Sequence, residues 1–138
     1  HQLSRRVLWA PMVSKDTYDG ERNANGQSHG KGTMRYVDGS VYEGEWRRGE
    51  RDGFGCFRSP LGDTYAGHFQ RGRREGSGRF HSATGDKYSG DWLHDMMHGS
   101  GSLLYANGDR FTGSFKSGEV HGPGTMQYAN PERGAIRP

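Results

Sequence analysis

Gly26-Gln27-Ser28-His29-Gly30 spells the G-x-S-x-G pattern of a serine nucleophile. That chemistry needs a sharp strand-to-helix elbow and a distant Asp and His on an α/β sheet. The chain has no helical periodicity, so a glycine-rich turn is the preferred reading. His29, His98 and His121 each precede a Gly-x-Gly pair. A histidine ladder is one way to hold a metal, but Asp52 and Glu75 take the equivalent places elsewhere and no second ligand recurs at a fixed spacing. No metal and no cofactor is therefore expected. Cys56, the single thiol, has no neighbours that would activate it.

Charge offers more. Arg47, Arg48 and Arg51 lie in one loop-like segment, Arg47 to Asp52, and Arg71, Arg73 and Arg74 in the next. Stacked units would bring these six guanidinium groups to one edge, interrupted by Glu50 and Glu75. Such an edge is either a patch for anionic phospholipid headgroups, each charge adding about 1 kcal/mol near a membrane surface, or a set of solvated loops. Met96 and Met97 break the column; packing on a neighbouring loop is preferred over an exposed soft contact.

Aromatic rings form the other constellation. Tyr42, Tyr65, Tyr88 and Phe111 make one row, and Trp46, Phe69, Trp92 and Phe115 a second. These eight side chains must supply most of the core. A lone sheet has no second layer, so one face of the rings is expected to stay open as an apolar trough that holds a partner's peptide or helix.

The elements that place these groups are set by a repeat. Tyr18, Tyr42, Tyr65, Tyr88 and Phe111 are spaced 24, 23, 23 and 23 residues apart. A glycine follows two positions after each, and Arg22, Trp46, Phe69, Trp92 and Phe115 two further on. Each unit then carries Gly-x-Gly-x-apolar, as in Gly53-Gly55-Phe57 and Gly76-Gly78-Phe80. Turn glycines Gly39, Gly62, Gly85 and Gly108 close four units, and Pro131 stands in that place in the fifth. The spacing of two within a unit is a strand signal. Each unit reads as one β-hairpin, with Tyr42, Gly44 and Trp46 on one strand face and Glu43 and Glu45 on the other. Glycine inside strands costs stability. Its use on the aromatic face predicts rings lying across bare backbone, on a face that curls inward.

The run Tyr42-Glu43-Gly44-Glu45-Trp46-Arg47-Arg48-Gly49-Glu50-Arg51-Asp52-Gly53-Phe54-Gly55 resembles the MORN (membrane occupation and recognition nexus) repeat. The likeness extends from residue 18 to about 131. The first unit departs from it, with Arg22 in place of the strand aromatic and a turn one residue longer. The expected architecture is all-β: an elongated single antiparallel sheet, a meander of about five hairpins in units near 18–41, 42–64, 65–87, 88–110 and 111–131. Residues 1–17, where Val7, Trp9 and Val13 alternate, read as a cap or remnant strand, and 132–138 as a tail. The resemblance implies a scaffold that tethers cytoskeletal or membrane-associated complexes, and end-to-end homodimers.

Bulk composition agrees with a thin structure. Of 138 residues only 30% are hydrophobic and 24 are glycine, yet aromatics reach 12% and the formal net charge is +3. A mean hydropathy of -1.04 would ordinarily suggest disorder. Large rings, each burying about 150–250 Å², offset that. Collagen's glycine at every third position is absent. A lone cysteine points to a reducing, cytoplasmic setting. No apolar run approaches the roughly 20 residues of a membrane span, no secretory signal is visible, and a chain opening at His1 reads as an excised fragment. The expected function is a non-enzymatic protein-interaction scaffold. The alternative is an adaptor for anionic phospholipid through the arginine edge. Nucleic acid is not an expected partner, and open sheet edges predict a homodimer.

Overall fold

The computed structural model describes residues 14–130 and Glu132. Ten strands follow one another: β1 (Thr17–Arg22), β2 (Ser28–Arg35), β3 (Val41–Arg47), β4 (Glu50–Arg58), β5 (Thr64–Gln70), β6 (Arg73–His81), β7 (Lys87–Leu93), β8 (Met96–Leu104), β9 (Arg110–Lys116) and β10 (Glu119–Gln127). They lie in one sheet in chain order, each neighbour antiparallel. The chain is the expected all-β meander of tandem hairpins. Val7, Trp9, Val13, Pro131 and nearly all of the expected cap and tail lie outside the described residues.

The hairpin connections are tighter than the sequence suggests. Between β3 and β4 only Arg48 and Gly49 turn the chain, at φ of 51° and 84°. Arg71-Gly72, His94-Asp95 and Ser117-Gly118 do the same, every φ positive. Two-residue turns with both central residues left-handed match the twist of paired strands. The segment Arg47 to Asp52 is therefore mostly strand, not loop. The first hairpin alone has a longer connection, in which the Asn23 side chain accepts hydrogen bonds from the N–H groups of Asn25 and Gln27, both at 3.0 Å.

Register then draws the core. One glycine from each strand falls in a single line across the sheet: Gly20, Gly32, Gly44, Gly55, Gly67, Gly78, Gly90, Gly101, Gly113 and Gly124 are successive partners. Tyr42 lies across Gly44 and Gly55, Tyr65 across Gly67 and Gly78, Tyr88 across Gly90 and Gly101. The rings also meet edge to face from one hairpin to the next. Tyr42 and Phe69 are 5.0 Å apart, Tyr65 and Trp92 5.1 Å, Tyr88 and Phe115 5.0 Å, all near perpendicular. Such pairs add about 0.5–1.5 kcal/mol beyond burial. Because each ring borrows its cover from the neighbouring unit, stability propagates along the array.

Polar clamps tie consecutive units at both strand ends. Carboxylates of Asp63, Asp86 and Asp109 accept hydrogen bonds from the N–H groups of Ala83, Ala106 and Ala129, at 2.7, 2.8 and 3.0 Å. At the opposite end His29 Nδ1 accepts from Arg48 N–H (3.2 Å), Asp52 from Arg71 N–H (3.4 Å) and Glu75 from His94 N–H (2.6 Å). The column holding His29, Asp52 and Glu75 thus needs an acceptor, which explains why imidazole and carboxylate alternate there.

Candidate binding faces

The two rows of rings form the floor of one sheet face. All eight are closed off: Tyr42 is 0% exposed, and Phe111, the most accessible, 7%. Their polar atoms are also spent. The hydroxyls of Tyr42, Tyr65 and Tyr88 donate to the carbonyls of Glu45, His68 and Asp91 at 2.8–2.9 Å. Trp46 and Trp92 donate Nε1–H to the carbonyls of Gly32 and Gly78 at 3.0 and 3.1 Å. Burial pushes the Tyr65 and Tyr88 phenols up to about 12 and Tyr42 further in the same direction, so all three stay neutral and keep donating through the physiological range.

The expectation of an open trough on these rings is therefore corrected. Rings stacked edge to face along the array cover one another, which a single hairpin could not do. On the alternate strands of the tyrosine row, Met34, Phe57, Phe80 and Leu103 are partly buried against the core, and Met126 is 39% exposed. Those side chains share the ring face because their register partners are Tyr42, Tyr65, Tyr88 and Phe111.

The six arginines do not converge on one edge. Two-residue turns leave Arg47, Arg51, Arg73 and Arg74 on strands, where alternation separates them. Arg51 pairs in register with Trp46 and Arg74 with Phe69, so both belong to the ring face. Arg51 sits 5.4–5.8 Å from the centres of Tyr42, Phe57 and Phe69 and donates to the Gly72 carbonyl at 2.9 Å. Arg74 lies 4.6 Å over Trp92 and is paired with Asp95 at 3.3 Å. Arg47, Arg48, Arg71 and Arg73 remain exposed at the turn end. A cavity of about 570 Å³ opens there, lined by Arg47, Arg48 and Arg71 but also by Glu50, Asp52 and Glu75. In the fourth hairpin Met97 packs on the ring core instead of a neighbouring loop, and Met96 is 43% exposed.

The remaining chemical candidates take structural places. Ser28 opens β2 rather than a nucleophile elbow, and its carbonyl accepts from Gly49 N–H at 2.9 Å. Among the described residues no group of three or more His, Cys, Asp or Glu is arranged to hold a metal. Cys56 is exposed on the face opposite the rings. No described helix is long and apolar enough to cross a membrane. In the first unit Arg22 lies 4.9 Å over the Tyr18 ring, filling the place of the absent aromatic by a cation–π contact.

Comparison with known proteins gives one result that bears on these faces. The family model for the MORN repeat matches residues 24–41, 42–64, 65–87, 88–110 and 111–130 in unbroken succession. No curated protein matches the chain.

Proposed function

This chain belongs to the MORN repeat family, and on that premise we propose that it is a non-enzymatic scaffold holding an extended segment of a partner protein along its ring face. MORN repeats are interaction modules for protein or membrane partners, and their proteins are typically scaffolds. The observation that carries the finer reading is that Met34, Phe57, Phe80, Leu103 and Met126, partly covered or exposed, stand on alternate strands between the closed rings of one row. Arg51 and Arg74, held over the rings, add fixed positive charge to the same face. The eight buried rings then shape the face, and the contact is made by the side chains that stand between them. The working setting is the cytoplasm, at a cytoskeletal or membrane-associated complex.

A second reading is favoured by four exposed arginines at the turn end, Arg47, Arg48, Arg71 and Arg73, which suit anionic phospholipid. One set of measurements separates the two. A photo-crosslinking residue placed at Phe57 or Phe80 should label the native partner, while one at Ser77 or Ser100, exposed on the opposite face, should not. Labelling from Ser77 and Ser100 alone would reject the ring-face reading. Sedimentation with anionic vesicles at low salt, where screening is weak, and its absence from an Arg47→Glu/Arg71→Glu chain would support the lipid reading instead.

Among the described residues, no strand pairs with the outer side of β10 in the array proposed at 18–131. β10 is exposed at every position, with Val120 at 45% and Met126 at 39%. An unpaired strand edge invites a second chain, so a homodimer through sheet edges is proposed. Light scattering coupled to size exclusion should report twice the 15.4 kDa chain mass; a monomer mass at high concentration counts against it.

A further inference from the structure

A row of like charge lies on the face away from the rings, and it becomes visible only through strand register. The row crosses all ten strands as successive partners: Thr17, Arg35, Val41, Arg58, Thr64, His81, Lys87, Leu104, Arg110 and Gln127. Arg35, Arg58, His81, Lys87 and Arg110 are all exposed. Four permanent cations in one row exceed the formal charge of the entire chain, +3. No carboxylate interrupts them. The adjacent row holds two acids, Asp19 and Glu43, towards its β1 end and one cation, Arg79, further along. In the turns beyond, Asp63, Asp86 and Asp109 are engaged by the N–H groups of the following turns. The turn-end arginines of the loop edge, by contrast, share their cavity with Glu50, Asp52 and Glu75.

We infer that this row binds an acidic, extended polypeptide segment laid across the strands. The occupant follows from spacing and from what lies between the cations. Arg35, Arg58 and His81 stand two strands apart, about 9.6 Å at ordinary strand spacing, as do Lys87 and Arg110, while His81 and Lys87 are direct partners about 4.8 Å apart. An extended chain rises about 10 Å in three residues, which matches the step within each run and sets carboxylates opposite Arg35 and Arg58 together, or opposite Lys87 and Arg110 together. Val41, Thr64 and Leu104, each half-buried, alternate with the cations and offer small apolar footing to the intervening side chains. A bilayer presents a plane of charge, and this row is one residue wide. Single-stranded nucleic acid depends on aromatic platforms for its bases, and the row contains no Phe, Tyr or Trp.

The site is separate from the ring face and does not depend on it. The test uses the full chain and a fluorescent peptide of about 15 residues with Glu at every third position. Binding by anisotropy at low salt should weaken about tenfold or more for Arg58→Glu/Arg110→Glu, and less for the gentler Arg58→Gln/Arg110→Gln. Arg47→Glu/Arg71→Glu should change it less than about twofold. Unchanged circular dichroism keeps each comparison valid, and the Gln pair serves if the Glu pair misfolds. The inference is overturned if the peptide does not bind. It is also overturned if the row variants bind as tightly as the parent chain. A third result against it would be dependence on the row for phosphatidylserine-containing vesicles or a single-stranded oligonucleotide but not for the peptide.

Discussion

A chain carrying Gly67→Val and Gly90→Val together is expected to lose its cooperative thermal transition, or to melt more than about 15 °C below the parent chain. A Cβ at Gly67 would lie 2.6 Å from the Ser77 carbonyl oxygen and 2.7 Å from the Tyr65 hydroxyl, as well as against Gly78 Cα. At Gly90 the Tyr88 hydroxyl would lie 2.7 Å away, with Ser100 and Gly101 backbone equally crowded. Expelling the ring relieves only the hydroxyl contact, and the backbone contacts push the paired strands apart, so ring packing and ladder are both lost. Overpacking alone costs about 1–3 kcal/mol, and an expelled aromatic about 3–5 kcal/mol. Two such sites approach the whole stability of an ordinary domain, about 5–15 kcal/mol. Gly72→Asn is the control: its φ is +83° and nothing lies within 4 Å of the added atom. Asn tolerates that conformation at about 1 kcal/mol, so melting should shift only slightly. Circular dichroism melting curves decide the matter; a double variant that melts like the parent would mean the rings do not lie on the glycine line.

The second large effect is expected from Trp46→Ala/Trp92→Ala. Each ring is 5% exposed and wedged between tyrosines of two hairpins, with Tyr18 and Tyr42 about Trp46 and Tyr65 and Tyr88 about Trp92. Removing one costs about 3–5 kcal/mol. The pair should therefore unfold most of the array in urea, with a much lower midpoint and a broader transition. Loss of partner capture by such a chain would report unfolding, not a groove, which is why Phe57 and Phe80 carry the binding test. Trp46→Phe/Trp92→Phe should be far milder. Phe69 and Phe115 occupy the same column in the alternate units, and only one hydrogen bond per site, about 0.5–1.5 kcal/mol, is lost. A near-parental midpoint for the alanine pair would show that these rings are not the core.

Both effects concern parts of the molecule that are legible in the residues themselves. Strand alternation is a local geometry with a period of two, so Tyr42-Glu43-Gly44-Glu45-Trp46 announces its faces without any partner. The glycine line was legible too, because ring and glycine recur at a fixed offset. What misled was the length of the turns. Arg47 to Asp52 looks like a loop by composition, yet two left-handed residues, Arg48 and Gly49, complete the turn. That single difference returns Arg51 to a strand and sends its guanidinium over the rings, where cation–π contact and a backbone carbonyl hold it.

Burial was equally out of reach. Whether Trp92 is open or closed depends on Tyr65, 27 residues earlier in the chain, meeting it edge on. The repeat, the meander, the ring rows and their glycines were determined by the residue order alone, since each rests on spacing along one strand or one hairpin. The tertiary structure decided which rings close and where six arginines part company. It also gathered Arg35, Arg58, Lys87 and Arg110 into one line, because hydrogen-bond register between strands, absent from any local pattern, chooses the neighbours of every side chain.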